Sequence, residues 1–321
     1  MSKNFFEETR GLREEIKKGV ISQCAKIENK QVKDIVLQRQ EGASYIKGIT
    51  SYYLHKGLGG GLSRIEIIKL AEAVEIYSTS MVLIDNLIDK HNKRDGNTTY
   101  LEEYGPEMMG LASVYTANIG LLKLSPYLEN FFKLMEVDGV DAVGKAITSA
   151  VSMDIEHPTD PAKILENIVK VNGITLGFPL GLIASTARVD KKVIFEIMRY
   201  GTDTGTAFGL YEEVRDFIGE HGRGIASEMK TGRIPYFMAD LGSRESNFDI
   251  KSYINKELNP MEYNSLLVKL TETGAFNRVK KLIKNHFDYG KEVIYNNLTF
   301  NEAEKLDLLR ISIEESLNRM I

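Results

Sequence analysis

From Ile67 to Ile88 the positions Ile67, Leu70, Ala71, Val74, Tyr77, Ser78, Met81, Ile84 and Ile88 recur at steps of one, three and four. That spacing gathers them on one side of an α-helix and predicts a buried stripe. At 1.5 Å per residue such a helix spans roughly 33 Å, the diameter of a whole domain. Elsewhere no run alternates apolar and polar residues as a half-buried strand does. Breaks are expected at Gly57 to Gly61, at Asp95-Gly96-Asn97, at His157 to Pro161, at Gly219 to Gly224 and at Asn259-Pro260, where Gly, Pro and Asn punctuate the chain. None is long enough for an interdomain linker, and the runs between them reach about twenty residues, beyond the ~12-residue average helix. The pattern predicts an all-α protein, one large helical bundle over residues 1–321.

Composition narrows the partners. Apolar residues are 43% and charged residues 27% of the chain, ordinary globular values that exclude a disordered or disulfide-stapled chain. A net charge of −4 gives no global field for nucleic acid or an anionic membrane, so any anion site is local. The single Cys24 reads as an inert thiol in a reducing compartment. The N-terminal residues mix acids and bases without an apolar core, unlike a signal peptide. The most apolar stretch, residues 174–187, contains Gly177, Pro179 and Gly181 and falls short of the ~20 residues a membrane span needs. These features predict a cytoplasmic protein without a transmembrane segment.

Two acidic clusters carry the chemistry. Asp85 and Asp89 are an i, i+4 pair at the end of the long apolar helix, and Glu212 and Asp216 repeat the spacing beside Glu213. Carboxylates one turn apart repel unless a cation sits between them. Hard oxygen donors of this kind suit Mg²⁺, which completes its shell with water and phosphate oxygens. The usual reading of an acidic pair is a solvated helix face, but Asp85 and Asp89 continue a nearly apolar stripe and so belong at a core rim. Lys93 and Arg94 follow the first cluster, and Lys230 and Arg233 follow the second. Acids for a metal together with bases for phosphate imply a diphosphate substrate.

With these residues in place the chain resembles the trans-prenyl (polyprenyl) diphosphate synthases among the class I isoprenoid synthases, most clearly from about Gly42 to Lys230. Their paired DDxxD motifs are matched by Asp85-Asn86-x-x-Asp89 and Glu212-Glu213-x-x-Asp216. Their Arg-Arg-Gly-x-Pro-Thr segment is matched by Arg94-Asp95-Gly96-Asn97-Thr98-Thr99, and Phe208 matches the Phe that leads into the second motif. The resemblance implies an isoprenoid synthase bundle, a homodimer, three Mg²⁺ ions on Asp85, Asp89, Glu212, Glu213 and Asp216, and an allylic prenyl diphosphate gripped by Arg94 and Lys230. The departures cluster. Ser44 and Tyr45 stand where the isopentenyl diphosphate loop has Lys and Arg, leaving Lys47, and Asp95 replaces the second Arg. The family's Lys-Thr pair falls on Val171-Asn172 unless a one-residue shift restores Lys170, and the Gln before the second motif is Gly209.

A carboxylate facing a diphosphate costs several kcal/mol. The expected function is therefore Mg²⁺-dependent ionisation of an allylic prenyl diphosphate, with the carbocation quenched by cyclisation, proton loss or water, as in terpene synthases. The pocket beneath Asp85 is expected to include Tyr77, Ser80, Met81 and Ile84, with Phe178 and Phe208 opposite. Two alternatives stand beside it: chain elongation with isopentenyl diphosphate, held in part by Lys47 and Lys170, and a non-catalytic partner subunit.

Overall fold

The computed structural model describes residues 5–88, 93–94, 97–98, 100–135, 156–220 and 225–321. Of the four N-terminal helices, α1 (Phe5–Glu8), α2 (Arg10–Cys24), α3 (Lys30–Glu41) and α4 (Ile46–Gly57), the last three pack on α5 (Arg64–Ile88). Helix α5 is the predicted stripe, begun three residues earlier than its first apolar position. It is apolar on more than one side because α2, α4 and the following long helix all pack on it, the mark of a central helix. After the two-residue strands β1 (Lys93–Arg94) and β2 (Asn97–Thr98), paired antiparallel, comes α6 (Tyr100–Met135). This hairpin is a departure from the all-helical expectation, confined to the predicted break around residue 96.

Helix α6 runs beyond the expected length and bends at Gly105, which takes φ 79° ahead of Pro106. A side chain at Gly120 would bring its Cβ within 2.8 Å of the Tyr77 backbone, so the glycine lets α5 and α6 approach closely. The other face of α6 carries Leu111, Val114, Tyr115 and Leu122, and Leu122 is 74% exposed. These lie at i, i+3, i+4 and i+11, one continuous stripe.

The second half of the chain begins with α7 (Pro161–Ile168), a π-turn (Val169–Gly173) and α8 (Ile174–Thr186). Asp160 caps α7 and Pro161 fills its first turn, where a missing N–H costs nothing. Contrary to the short stretch expected, the run Pro161–Thr186 is long and apolar enough by length and composition to cross a membrane. It is 61% buried inside the fold, which makes it a core helix. It packs on α9 (Lys191–Ile218), which ends at Gly219 with φ 80°. Then follow α10 (Ser227–Lys230), α11 (Tyr236–Arg244), α12 (Pro260–Glu272), α13 (Ala275–Asn297) and α14 (Phe300–Met320). Asn259 and Glu262 form a capping box at the start of α12, as the Asn-Pro signal predicts. Cys24 is fully buried, and burial pushes its thiol up to about 12, so it is inert as expected.

Candidate active site between α5 and α9

A cavity of about 420 Å³ lies where the last turns of α5 and α9 face each other. Its acidic side is Asp85, from α5, with Glu212 and Glu213, from α9. The i, i+3 and i+4 spacing of Gly209, Glu212 and Glu213 puts all three on one face of α9, and all three line the cavity. Glu212 is paired with Arg215 at 2.9 Å. Glu213 is 3% exposed, accepts the Tyr236 amide through Oε2 at 2.8 Å, and leaves Oε1 without a hydrogen-bond partner. Burial pushes its carboxyl up to about 8, and Arg233 opposes that rise only in part.

The expected metal ligands do not all meet here. Asp89 lies outside the described residues, as does Asp95, and Arg94 is placed only as a residue of β1. Asp216 is 2% exposed and does not line the cavity. Its carboxylate instead accepts the Ser227 hydroxyl and, at 2.9 Å, the Glu228 amide, which ties the segment after α9 back onto the helix. Asn86 is buried and turned away from the cavity. Among the described residues no three His, Cys, Asp or Glu side chains are already clustered as a metal site. Asp85, Glu212 and Glu213 nevertheless fit Mg²⁺: all three are oxygen donors on one cavity, and the buried Glu213 Oε1 has no other partner.

The basic side differs from expectation. Lys230 is outside the cavity lining and bonds Glu257 at 2.9 Å. The cavity's cations near the second cluster are Arg215 and Arg233, the latter 3.4 Å from Glu228. Lys170 also stays outside the lining and pairs with Glu166. In its place the cavity receives Val171 and Asn172.

Away from the acids, the segment 42–47 forms the wall together with Arg39, a residue that the sequence motifs did not single out. Tyr45 is not directed into the cavity as a ligand. It takes φ 58° at the N-terminus of α4, is 1% exposed, and donates its hydroxyl to Gln40 Oε1 at 3.0 Å. Strained backbone of this kind persists only where its surroundings over-determine it. Glu75 braces the same turn by accepting the Gly48 amide at 2.5 Å. Burial raises the Glu75 carboxyl and lowers the Lys47 ammonium, while their mutual attraction opposes both shifts.

The apolar floor also differs in part. Met81, Ile84 and Phe208 line the cavity as expected. Tyr77, Ser80 and Phe178 do not: Tyr77 packs on α6, Ser80 bonds the Tyr77 carbonyl at 2.6 Å, and Phe178 meets Phe131 edge-to-face and Phe132 at a tilt.

No family model matches the chain. Among curated proteins it is 24% identical over 260 residues to the prenyl transferase of Cyanophora paradoxa, covering 78% of each chain. The prenyl transferase of Cyanidium caldarium is 24% identical over 176 residues. Among solved structures, geranylgeranyl pyrophosphate synthetase from Pyrococcus horikoshii superposes with TM-score 0.83 at 14% identity, over 97% of this chain and 98% of that one. A decaprenyl diphosphate synthase from Rhodobacter capsulatus gives TM-score 0.83 at 13% identity, over 99% of both chains. The geranylgeranyl pyrophosphate synthase of Corynebacterium glutamicum, solved with isoprenyl diphosphate and magnesium, gives TM-score 0.76 at 17% identity, over 98% of this chain and 99% of that one. These likenesses bear out the all-α isoprenoid synthase fold and the family resemblance read from the two acidic motifs.

Proposed function

We propose, from the premise that this chain is an enzyme of the isoprenoid synthase class with the trans-prenyl diphosphate synthase fold, that it elongates an allylic prenyl diphosphate with isopentenyl diphosphate. The observation that carries this reading is that one cavity is lined both by Asp85, Glu212 and Glu213 and by Arg39 and Lys47, which sit with Glu75. Two diphosphates need two such places, one rich in metal ligands and one in fixed cations. Arg39 supplies part of the charge that Ser44 and Tyr45 lack, which weakens the sequence-based preference for ionisation alone. The named relatives support elongation better than cyclisation.

In the reaction the allylic carbon–oxygen bond breaks, diphosphate leaves, a carbon–carbon bond forms to isopentenyl diphosphate, and a proton departs. Bound Mg²⁺ would supply Lewis-acid stabilisation of the leaving diphosphate. Asp85, Glu212 and Glu213 hold that charge in place, joined in this reading by Asp89. Arg233 and Arg215 orient the acids, and Arg94 is the further cation this reading assigns to the diphosphate. Met81, Ile84 and Phe208 exclude water from the hydrocarbon, and the face of Phe208 can stabilise a cation by ~0.5 to 2 kcal/mol.

The whole chain acts as one domain, and the exposed apolar stripe on α6 supports a homodimer, because contiguous exposed apolar surface marks an interaction site. A second reading, ionisation without condensation, is favoured by one observation: burial lowers the Lys47 ammonium, so its hold on a second diphosphate is weakened. Incubation with an allylic diphosphate, with and without isopentenyl diphosphate, separates the two.

A further inference from the structure

Two clasps join the cavity wall around residues 40–48 to α5, and both close on the same turn of that helix. Glu75 accepts the Gly48 amide through Oε1 at 2.5 Å. Thr79, four residues further and so on the same face, accepts Gln40 Nε2 at 2.7 Å. The Thr79 hydroxyl proton is directed to the Glu75 carbonyl at 2.9 Å, so toward Gln40 its oxygen is an acceptor. Gln40 Oε1 in turn accepts the Tyr45 hydroxyl at 3.0 Å. Burial raises the Tyr45 hydroxyl, which keeps its proton in place for that bond. The chain of bonds has one direction, Tyr45 to Gln40 to Thr79 to the α5 backbone, and each donor meets an acceptor.

Gln40 and Tyr45 are each 1% exposed, and Gln40 does not line the cavity, whereas Tyr45 and Thr79 do. Gln40 follows Arg39 in the last turn of α3, and Tyr45, at φ 58°, precedes Lys47 by two residues. The two cations of the wall therefore flank this strut in the chain. A buried carboxamide is costly unless both its ends are bonded. Here one end holds the start of α4 and the other holds α5, so the strut fixes the strained Tyr45 backbone against the central helix. The sequence shows Tyr45 only as a lost cation; in space it is a buried donor that orders the segment between the two cations that remain.

We propose that Gln40 is a positioning residue for the second anion place of the cavity, holding Tyr45 to Thr79 so that Arg39 and Lys47 are set for a diphosphate. The inference rests on the reading of the cavity as a prenyl diphosphate site with two anion places. Gln40 itself meets no substrate and acts through the two cations.

The test is Gln40→Met, which keeps the length and volume of the side chain and removes both bonds. Affinity is measured by calorimetry for isopentenyl diphosphate alone and for geranylgeranyl diphosphate with Mg²⁺, and turnover gives KM for each. The variant should lose about tenfold in affinity for isopentenyl diphosphate, with KM raised by the same factor, because displaced cations weaken charge-assisted contacts. Affinity for geranylgeranyl diphosphate should stay within about twofold and kcat should hold, the pattern of a lost binding contribution. A role in folding alone would lower the melting temperature without separating the two substrates.

Thr79 supplies the conservative control. Thr79→Val removes the acceptor and should reproduce the selective loss, whereas Thr79→Ser retains it and should bind as the wild type does. Gln40→Met combined with Thr79→Val should cost no more than either change alone, as partners in one network do. If Gln40→Met does not fold, Tyr45→Phe decides: it deletes one hydroxyl and should show the same selective loss, and wild-type affinity there contradicts the proposal. Unchanged isopentenyl diphosphate affinity in folded Gln40→Met, an equal loss for both substrates, or Thr79→Ser as weak as Thr79→Val would overturn it. Wild-type protein that fails to bind isopentenyl diphosphate sinks the underlying reading instead.

Discussion

Glu213 and Tyr236 are joined by a 2.8 Å hydrogen bond from the Tyr236 amide to Oε2, and this one contact leaves Oε1 buried and without a partner. The consequence is a pH dependence. Burial raises the Glu213 carboxyl from 4.5 to about 8, so the folded state holds this proton more tightly than the unfolded state does. Stability from the neutral carboxyl is complete below the unfolded value and is lost as pH rises toward 8. Metal-free protein should therefore lose on the order of 3 kcal/mol between about pH 5 and 8 from this group. Thermal denaturation across that range checks it, and Glu213→Gln should flatten the slope. A slope unaffected by the substitution contradicts the burial argument.

Asp85 faces the two α9 acids across the cavity, so Asp85→Ala should cut turnover by a factor on the order of 10³ or more, as loss of electrostatic stabilisation does. The fold should survive within about 1 kcal/mol, because the residue is half-buried at a helix end and not packed in the core. Full activity in a folded variant would contradict the metal assignment.

Arg39 tests the division of the cavity into two anion places. Arg39→Ala should raise KM for isopentenyl diphosphate by about tenfold to a hundredfold, the scale of one charge-assisted contact of about 1.5 to 3 kcal/mol. KM for the allylic substrate should change little. Equal effects on both substrates would place Arg39 at a shared site instead.

Leu122 is the most exposed member of the α6 stripe. Placing a charge there, Leu122→Asp, should shift the protein from dimer to monomer by light scattering at micromolar concentration, with helix content unchanged. A wild-type monomer would contradict the dimer at once.

Much of the fold was legible because long amphipathic periods and their breakers are local signals. The positions from Ile67 to Ile88 became α5, Asn259-Pro260 became a capped start, and Gly219 ended α9. The β1–β2 pairing was not legible, since two-residue strands carry no period. Asp85 and Glu212 were found from i, i+4 spacing and Glu213 from the motif resemblance, and the three do share a cavity. Asp216, picked by the same rule, does not line the cavity, because i, i+4 spacing gives a shared face but not what meets it, here Ser227 and the Glu228 amide. Lys230 and Lys170 were placed by motif order, yet each is paired outside the cavity lining with a neighbouring glutamate, Glu257 and Glu166. Arg39 went unnoticed because α3 reaches the cavity only through packing distant in sequence, which no local pattern encodes.

The most direct test of chain elongation is incubation of the wild-type protein with Mg²⁺ and geranyl, farnesyl or geranylgeranyl diphosphate, each with and without isopentenyl diphosphate, followed by product analysis. Longer prenyl diphosphates that form only when isopentenyl diphosphate is present are the predicted result. Diphosphate release with a hydrocarbon or alcohol product, independent of isopentenyl diphosphate, would contradict elongation and leave ionisation alone as the activity of this cavity.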